Sequence, residues 1–277
     1  LPDAYRHSDR LIWVKERDPV RRYSLCMLED HSMPQREAGQ IVWHDLFTED
    51  AALSRCFYEK VARWRYVIEH ATDFAWGGGE RDFILALSED EAGAGFVAAN
   101  GGPPFGWLPY VEVQDVDAAA EMVLELCGTV EKAPFDVPGV GRNCLVRDPI
   151  GAHFGICQSR HAFPVPTRQF GPEHYLATAS EFPADFYSRL LNWSIVPLDA
   201  SESVSQLIVR EETNVGYRTE SASQSDHGPV WVPSIRVAQI AEALQGLQEI
   251  EGTVLSREIG SGSALVADPN GALSVLF

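Results

Sequence analysis

Phe57-Tyr58-Glu59-Lys60-Val61-Ala62-Arg63-Trp64 recurs as Phe186-Tyr187-Ser188-Arg189-Leu190-Leu191-Asn192-Trp193, so the pattern F-Y-x-x-x-x-x-W occurs twice, 129 positions apart. Three more landmarks repeat in the same order. Trp107-Leu108-Pro109 returns as Trp231-Val232-Pro233, and Gly128-Thr129-Val130 as Gly252-Thr253-Val254, both displaced by 124. Asp148-Pro149-Ile150-Gly151-Ala152 returns as Asp268-Pro269-Asn270-Gly271-Ala272, displaced by 120. Four coincidences in one order imply an internal duplication, with shorter loops in the second copy.

Each landmark has a local meaning. After Asp50, a residue suited to cap a helix, Leu53, Phe57, Val61 and Trp64 fall on one face at helical spacing, while Glu59, Lys60 and Arg63 point elsewhere. In the second copy Pro183 suits a first helical turn, with Phe186, Leu190 and Trp193 inward. Ala119, Met122, Val123 and Leu126 form a shorter helix that should stop at Gly128, a residue that tolerates left-handed backbone. Ile240, Leu244 and Leu247 repeat it before Gly252. The D-P-x-G tetrapeptides have the residue preferences of a type I turn between two strands.

Short strand-like runs precede each helix: Ile41-Val42-Trp43, Tyr110-Val111-Glu112-Val113, His174-Tyr175-Leu176 and Ser234-Ile235-Arg236-Val237. Further strand candidates follow each helix. The chain therefore reads as strand, helix and several strands, four times over. A Pro-rich polar stretch lies between the second and third units.

These motifs resemble the vicinal oxygen chelate superfamily, which includes glyoxalase I, bleomycin-resistance proteins and extradiol dioxygenases. The resemblance covers about four fifths of the chain. It implies an α+β fold of two glyoxalase-like domains, each of two βαβββ modules forming a curved mixed sheet around a cup. The implied layout is an N-terminal extension over 1–38, a first domain over 39–158, a linker over 159–169 and a second domain over 170–277.

In metal-using members of the superfamily one ligand stands on the first strand of a module and another on its last. Carried over, those places fall at Trp43, Leu108, Gly155 and Val275. None has a side chain that binds a divalent ion. In the third module the place falls near Pro172 or Glu173, and the last strand of the first module offers no ligand near Ala94-Gly95. The expectation is a protein with no metal and no cofactor.

Residues two apart on a strand share a face. From the carried-over places, that parity directs Asp45, Tyr110, Glu112 and His153 into the first cup. His153 and Glu112 are the candidate catalytic pair for proton transfer, with Asp45 and Tyr110 holding a ligand. Trp43 and Trp107 offer a stacking wall for a planar ligand, set against burial in the core. At the matching places of the second copy stand Arg236, Ser234 and Leu273, so Arg236 is a candidate anion contact and the second cup is poorer in proton-transfer groups.

The composition limits the partners. The 277 residues carry a formal charge of −18, which repels nucleic acid and anionic membranes. Five cysteines, an odd number without a C-x-x-C pair, read as small buried free thiols in a reducing cytoplasm. No apolar run is long enough to span a bilayer. The function expected is binding of a small organic molecule in the first cup, by a metal-independent enzyme or a sequestering protein. A metal-dependent lyase or dioxygenase with displaced ligands such as His44, His153 or His174 is the alternative, and a homodimer stays open.

Overall fold

The computed structural model describes residues 36–71, 81–98, 106–161, 164–177, 182–198, 204–220, 228–257 and 262–277. All but the last three residues of the expected extension over 1–38, Cys26 included, lie outside them. Among the described residues no helix is long and apolar enough to cross a membrane.

The first half runs β1 (Ile41–Thr48), α1 (Ala51–Ala62), β2 (Arg65–Ala71), β3 (Arg81–Ser88), β4 (Glu91–Ala98), β5 (Gly106–Glu112), α2 (Val116–Glu125), β6 (Thr129–Val137), β7 (Gly141–Arg147) and β8 (His153–Ser159). Its strands form one mixed sheet in the order β2-β3-β4-β1-β5-β8-β7-β6. β1 runs parallel to β4 and antiparallel to β5, and β5 runs parallel to β8.

The second half runs β9 (Glu173–Ala177), α3 (Ala184–Leu191), β10 (Trp193–Pro197), β11 (Val204–Arg210), β12 (Thr213–Glu220), β13 (Val230–Val232), β14 (Ser234–Ile235), α4 (Ile240–Gly246), β15 (Thr253–Ser256), β16 (Ala264–Ala267) and β17 (Leu273–Leu276). Its sheets are ordered β10-β11-β12-β9-β13 and β14-β17-β16-β15. β13 and β14 follow one another across Pro233. Joined there, the second order matches the first strand for strand. The fold is mixed α+β and duplicated, as the sequence repeat predicts.

The caps obey local chemistry. Asp50 caps α1 by accepting from the Ala52 and Leu53 amides at 2.9 and 3.1 Å. Asp115 does the same for α2, at 2.9 and 3.0 Å from Asp117 N and Ala118 N. Both D-P-x-G turns close with an amide from Gly151 or Gly271 to the carbonyl of Asp148 or Asp268.

Three details differ from the expectation. Leu53 and Met122 are exposed, at 43% and 36%, and the buried stripes instead hold Ser54 on α1 and Val116 and Ala120 on α2. The left-handed residue after α2 is Cys127 (φ 66°), and its counterpart is Glu251 (φ 56°), one place before the glycines. Gly128 and Gly252 are needed for closeness: a Cβ would stand 2.8 Å from the Arg147 carbonyl in one case and 2.6 Å from the Phe57 ring in the other. Cys144 and Cys157 are buried free thiols, whereas Cys56 and Cys127 are exposed ones.

Each half carries the same aromatic cassette, built from the two motifs. Trp107 Nε1 donates to the Tyr58 hydroxyl at 2.8 Å, and Trp231 Nε1 donates to Tyr187 at 2.8 Å. Trp64 stacks on Tyr58 and Trp193 on Tyr187. The two cores are shared between halves. One joins α1 to Ala243, Leu247, Ala264 and Val266; the other joins Val116, Val123 and Phe154 to Phe186, Tyr187 and Trp231. Asp148 also crosses, accepting on Oδ2 from Tyr175 at 2.7 Å and Tyr187 at 2.9 Å.

Removing either cassette hydroxyl leaves a buried indole N–H without an acceptor, which costs about 1–3 kcal/mol. Tyr58→Phe and Tyr187→Phe should both lower the urea midpoint. Tyr187→Phe should be the more damaging, because it also withdraws a donor from Asp148. Negligible losses in urea titrations would show that the cassette hydrogen bonds do not set the stability, and equal losses that the bond to Asp148 adds nothing.

Candidate functional site

Sheet parity divides β1 and β5 between two environments. His44, Leu46, Trp107 and Val111 face the helices, and Trp43, Asp45, Phe47, Leu108 and Tyr110 face the concave side. On the concave side Phe47, Val97, Leu108, Tyr110, Leu145 and Cys157 are buried together, with Trp43, Phe83 and Val165 packed against them.

At the centre is Asp45, 5% exposed. Its Oδ1 accepts from Trp43 Nε1 at 2.9 Å and its Oδ2 from the Tyr110 hydroxyl at 2.9 Å. Two glycines make room for this clamp. A Cβ on Gly155 would stand 2.3 Å from the Tyr110 ring, and one on Gly95 would stand 2.3 Å from Phe83 and 2.6 Å from Asp45 Oδ1. Burial, reinforced by the carboxylate, raises the Tyr110 pKa well above the usual phenol value. Tyr110 therefore remains a hydrogen-bond donor to Asp45.

The other predicted residues do not converge there. Glu112 accepts from Ser159, from the amide at 2.9 Å and the hydroxyl at 2.7 Å, and lies 3.7 Å from the Cys157 thiol. Glu112 pairs with Cys157 in the ladder, and His153 lies four residues further along β8, opposite Arg147. That is about 13 Å along the strand, so the two do not form a proton-handling pair. Burial lowers the His153 pKa, with the Glu131 charge opposing it. Trp107 stands on the face opposite Trp43 and is bound to Tyr58, so the two indoles do not form one wall. Arg236 is exposed, with its guanidinium 4.9 Å from the centre of the Phe277 ring.

The places carried over for metal ligands in the first half do not suit a divalent ion. Trp43 is a donor bound to Asp45, Leu108 is fully buried, and the space above Gly155 is filled by the Tyr110 ring. The displaced candidates are scattered. His44 faces the helices, His153 stands near Arg147, and His174 is in the second half with Nδ1 2.8 Å from Thr219 Oγ1. Among the described residues no three His, Cys, Asp or Glu side chains come together as a metal site.

A buried contact between the halves was not legible in the sequence. His44 Nε2 lies 2.8 Å from Glu173 Oε1, and the imidazole stacks on Phe170 with ring centres 3.9 Å apart. Both residues are buried, and they stand 129 positions apart, the displacement of the F-Y-x-x-x-x-x-W motif. The sequence names each residue separately as a candidate metal ligand, and the shared displacement was the signal that could have joined them.

No family profile matches the chain. A stretch of 120 residues, 43% of the chain, is 32% identical to CFP32 of Mycobacterium bovis, which bears a glyoxylase name, and covers 44% of that protein. A stretch of 127 residues, 46% of the chain, is 30% identical to the anthracycline biosynthesis protein DauV of Streptomyces sp. strain C5, again over 44% of its length. The matches thus span less than half of these relatives. Among solved structures, the Mn(II)-bound glyoxalase from Novosphingobium aromaticivorans superposes with a TM-score of 0.56 at 11% identity, covering 86% of this chain and 81% of that one. A variant of homoprotocatechuate 2,3-dioxygenase from B. fuscum superposes with a TM-score of 0.59 at 15% identity, covering 90% and 73%. At these identities the structural likeness shows the fold.

Burial lowers the His174 pKa to about 4, and burial with the Arg36 charge lowers that of His161 to about 4. An unfolded histidine titrates near 6.5, so on acidification the unfolded chain takes up protons first. The stability these groups contribute is complete above about pH 6.5 and is lost as pH falls through about 4. His174→Asn should make the loss between about pH 7 and about pH 5 shallower in urea titrations. An unchanged slope would show that His174 titrates normally.

Proposed function

We propose that this chain, a glyoxalase-like protein of the vicinal oxygen chelate superfamily, binds a small organic molecule in its first cup without a divalent metal. The observation that carries the reading is the Asp45 carboxylate held between Trp43 and Tyr110. It occupies the part of the cup where the superfamily resemblance implies metal ligands. A fixed, buried carboxylate orients a donor-bearing ligand at little entropic cost, because its own position is already set.

The ligand class we favour is a planar aromatic molecule with hydroxyl groups. The half-buried rings of Trp43 and Phe83 on the cup side supply apolar surface, and Asp45 supplies an acceptor. A relative named for anthracycline biosynthesis is consistent with that class. Binding or sequestration fits the geometry better than acid and base catalysis, because Glu112 is engaged with Ser159 and His153 is remote from it.

The test uses the full chain purified without a metal-chelating tag. Titration with a hydroxylated anthraquinone should quench tryptophan fluorescence and raise Tm, since a ligand of the native state stabilises it. Asp45→Asn should weaken binding about tenfold, the loss of one charge-assisted hydrogen bond, while His153→Ala should leave it unchanged. Elemental analysis should find transition metal well below one equivalent. A stoichiometric metal whose removal abolishes binding would favour the metal-dependent reading, and wild-type affinity in Asp45→Asn would remove the clamp from the site.

A further inference from the structure

A cavity of about 320 Å³ opens where the two halves meet; it shares Val42 and Val165 with the concave-side cluster, but Asp45 does not line it. Its walls come from the start of β1, the connection into β9, the end of β11 and the start of β12, so neither half builds it alone. The size suits a small organic ligand. Ile41, Val42, Val165, Phe170 and Val215 give it an apolar lining.

Its polar groups are unbalanced. Glu173, 1% exposed, uses Oε1 on His44 at 2.8 Å, and its Oε2 is buried without a hydrogen-bond partner. Asn214 lines the same cavity, and its side-chain carbonyl Oδ1 is also buried and unpartnered. Both orphan atoms are acceptors. The Arg210 guanidinium on the wall is committed to Glu37, with Nη2 2.5 Å from Oε2.

A buried acceptor without a donor costs about 1–3 kcal/mol, more when charged, so two beside one cavity are better explained by a ligand than by chance. An ammonium group has three donors and no acceptor, and it would satisfy both atoms while offsetting the carboxylate charge. A hydroxyl would add lone pairs of its own to a place already short of donors. The net charge of −18 also draws organic cations toward the protein.

We propose that the cavity between the halves is a second binding site, which takes a small primary amine with an apolar body. The ammonium donates to Glu173 Oε2 and Asn214 Oδ1, and the body rests against Phe170, Val165 and Val215. His44 is the positioning residue: its bond to Oε1 turns the other carboxylate oxygen toward the amine.

The probes are benzylamine and benzyl alcohol, similar in shape, titrated calorimetrically and by thermal shift into the full chain at neutral pH. Benzylamine should bind and raise Tm with concentration, and benzyl alcohol should bind at least about tenfold more weakly, the factor that one lost charged hydrogen bond produces. Glu173→Gln and Asn214→Leu should each weaken benzylamine about tenfold. If Glu173→Gln does not fold, Asn214→Leu decides, because Asn214 is half-buried near the start of β12. No benzylamine binding, equal affinity for the alcohol, or wild-type affinity in the folded variants would overturn the proposal. So would a high-resolution structure with benzylamine in which the cavity holds only water.

Discussion

Two buried hydrogen bonds, from Trp107 to Tyr58 and from Trp231 to Tyr187, fix how each half is put together. An indole N–H and a phenol cannot both be buried among apolar side chains unless they meet, so each helix that carries the tyrosine must sit at one height over the strand that carries the tryptophan. That requirement sets the inward face of the strand. Once Trp107 faces the helix, Leu108 and Tyr110 must face the cup. The same pairing on the neighbouring strand puts Leu46 opposite Trp107 and so turns Asp45 into the cup.

The cup chemistry follows from that parity and from the absence of side chains at two points. Gly95 and Gly155 allow Phe83 and Tyr110 to lie across the sheet, and the phenol then reaches Asp45. A carboxylate in such surroundings persists only because both oxygens have donors. The arrangement is the reverse of a metal centre, where carboxylates and imidazoles present lone pairs to open space. Here each carboxylate oxygen accepts one bond, from an indole or from a phenol, and these two donors cannot ligate a metal as they stand.

The duplication, the α+β class and the turns were legible in the sequence because they rest on local rules: capping aspartates, helical spacing and D-P-x-G preferences. Leu53 and Met122 were misplaced because spacing defines a face without saying how wide the neighbouring surface is. Ser54 displaced Leu53 by bonding Asp268 from the far end of the chain at 2.6 Å, a contact that no local pattern encodes. Parity correctly directed Asp45 and Tyr110 to one face. It failed for His153 and Glu112 as a pair because a shared face says nothing about distance along it. Trp107 was assigned by its match to Trp43 in residue type, although adjacent antiparallel strands had set the two on opposite faces.

The pair missed by the sequence reading also shows what the tandem arrangement permits. Leu46 opposes Trp107 and Tyr175 opposes Trp231, so His44 and Glu173 hold equivalent places in the two halves. They meet across the seam, where a two-fold relation brings a place against its own counterpart. In a dimer of identical chains such a contact is isologous and would bring histidine against histidine or glutamate against glutamate. Two buried carboxylates repel, and two imidazoles leave no carboxylate to accept, whereas an imidazole N–H donates to a carboxylate oxygen. Only with both halves in one chain can the two places differ. The seam could then exchange symmetry for a hydrogen-bonded pair, with one carboxylate oxygen left over beside a cavity that neither half possesses alone.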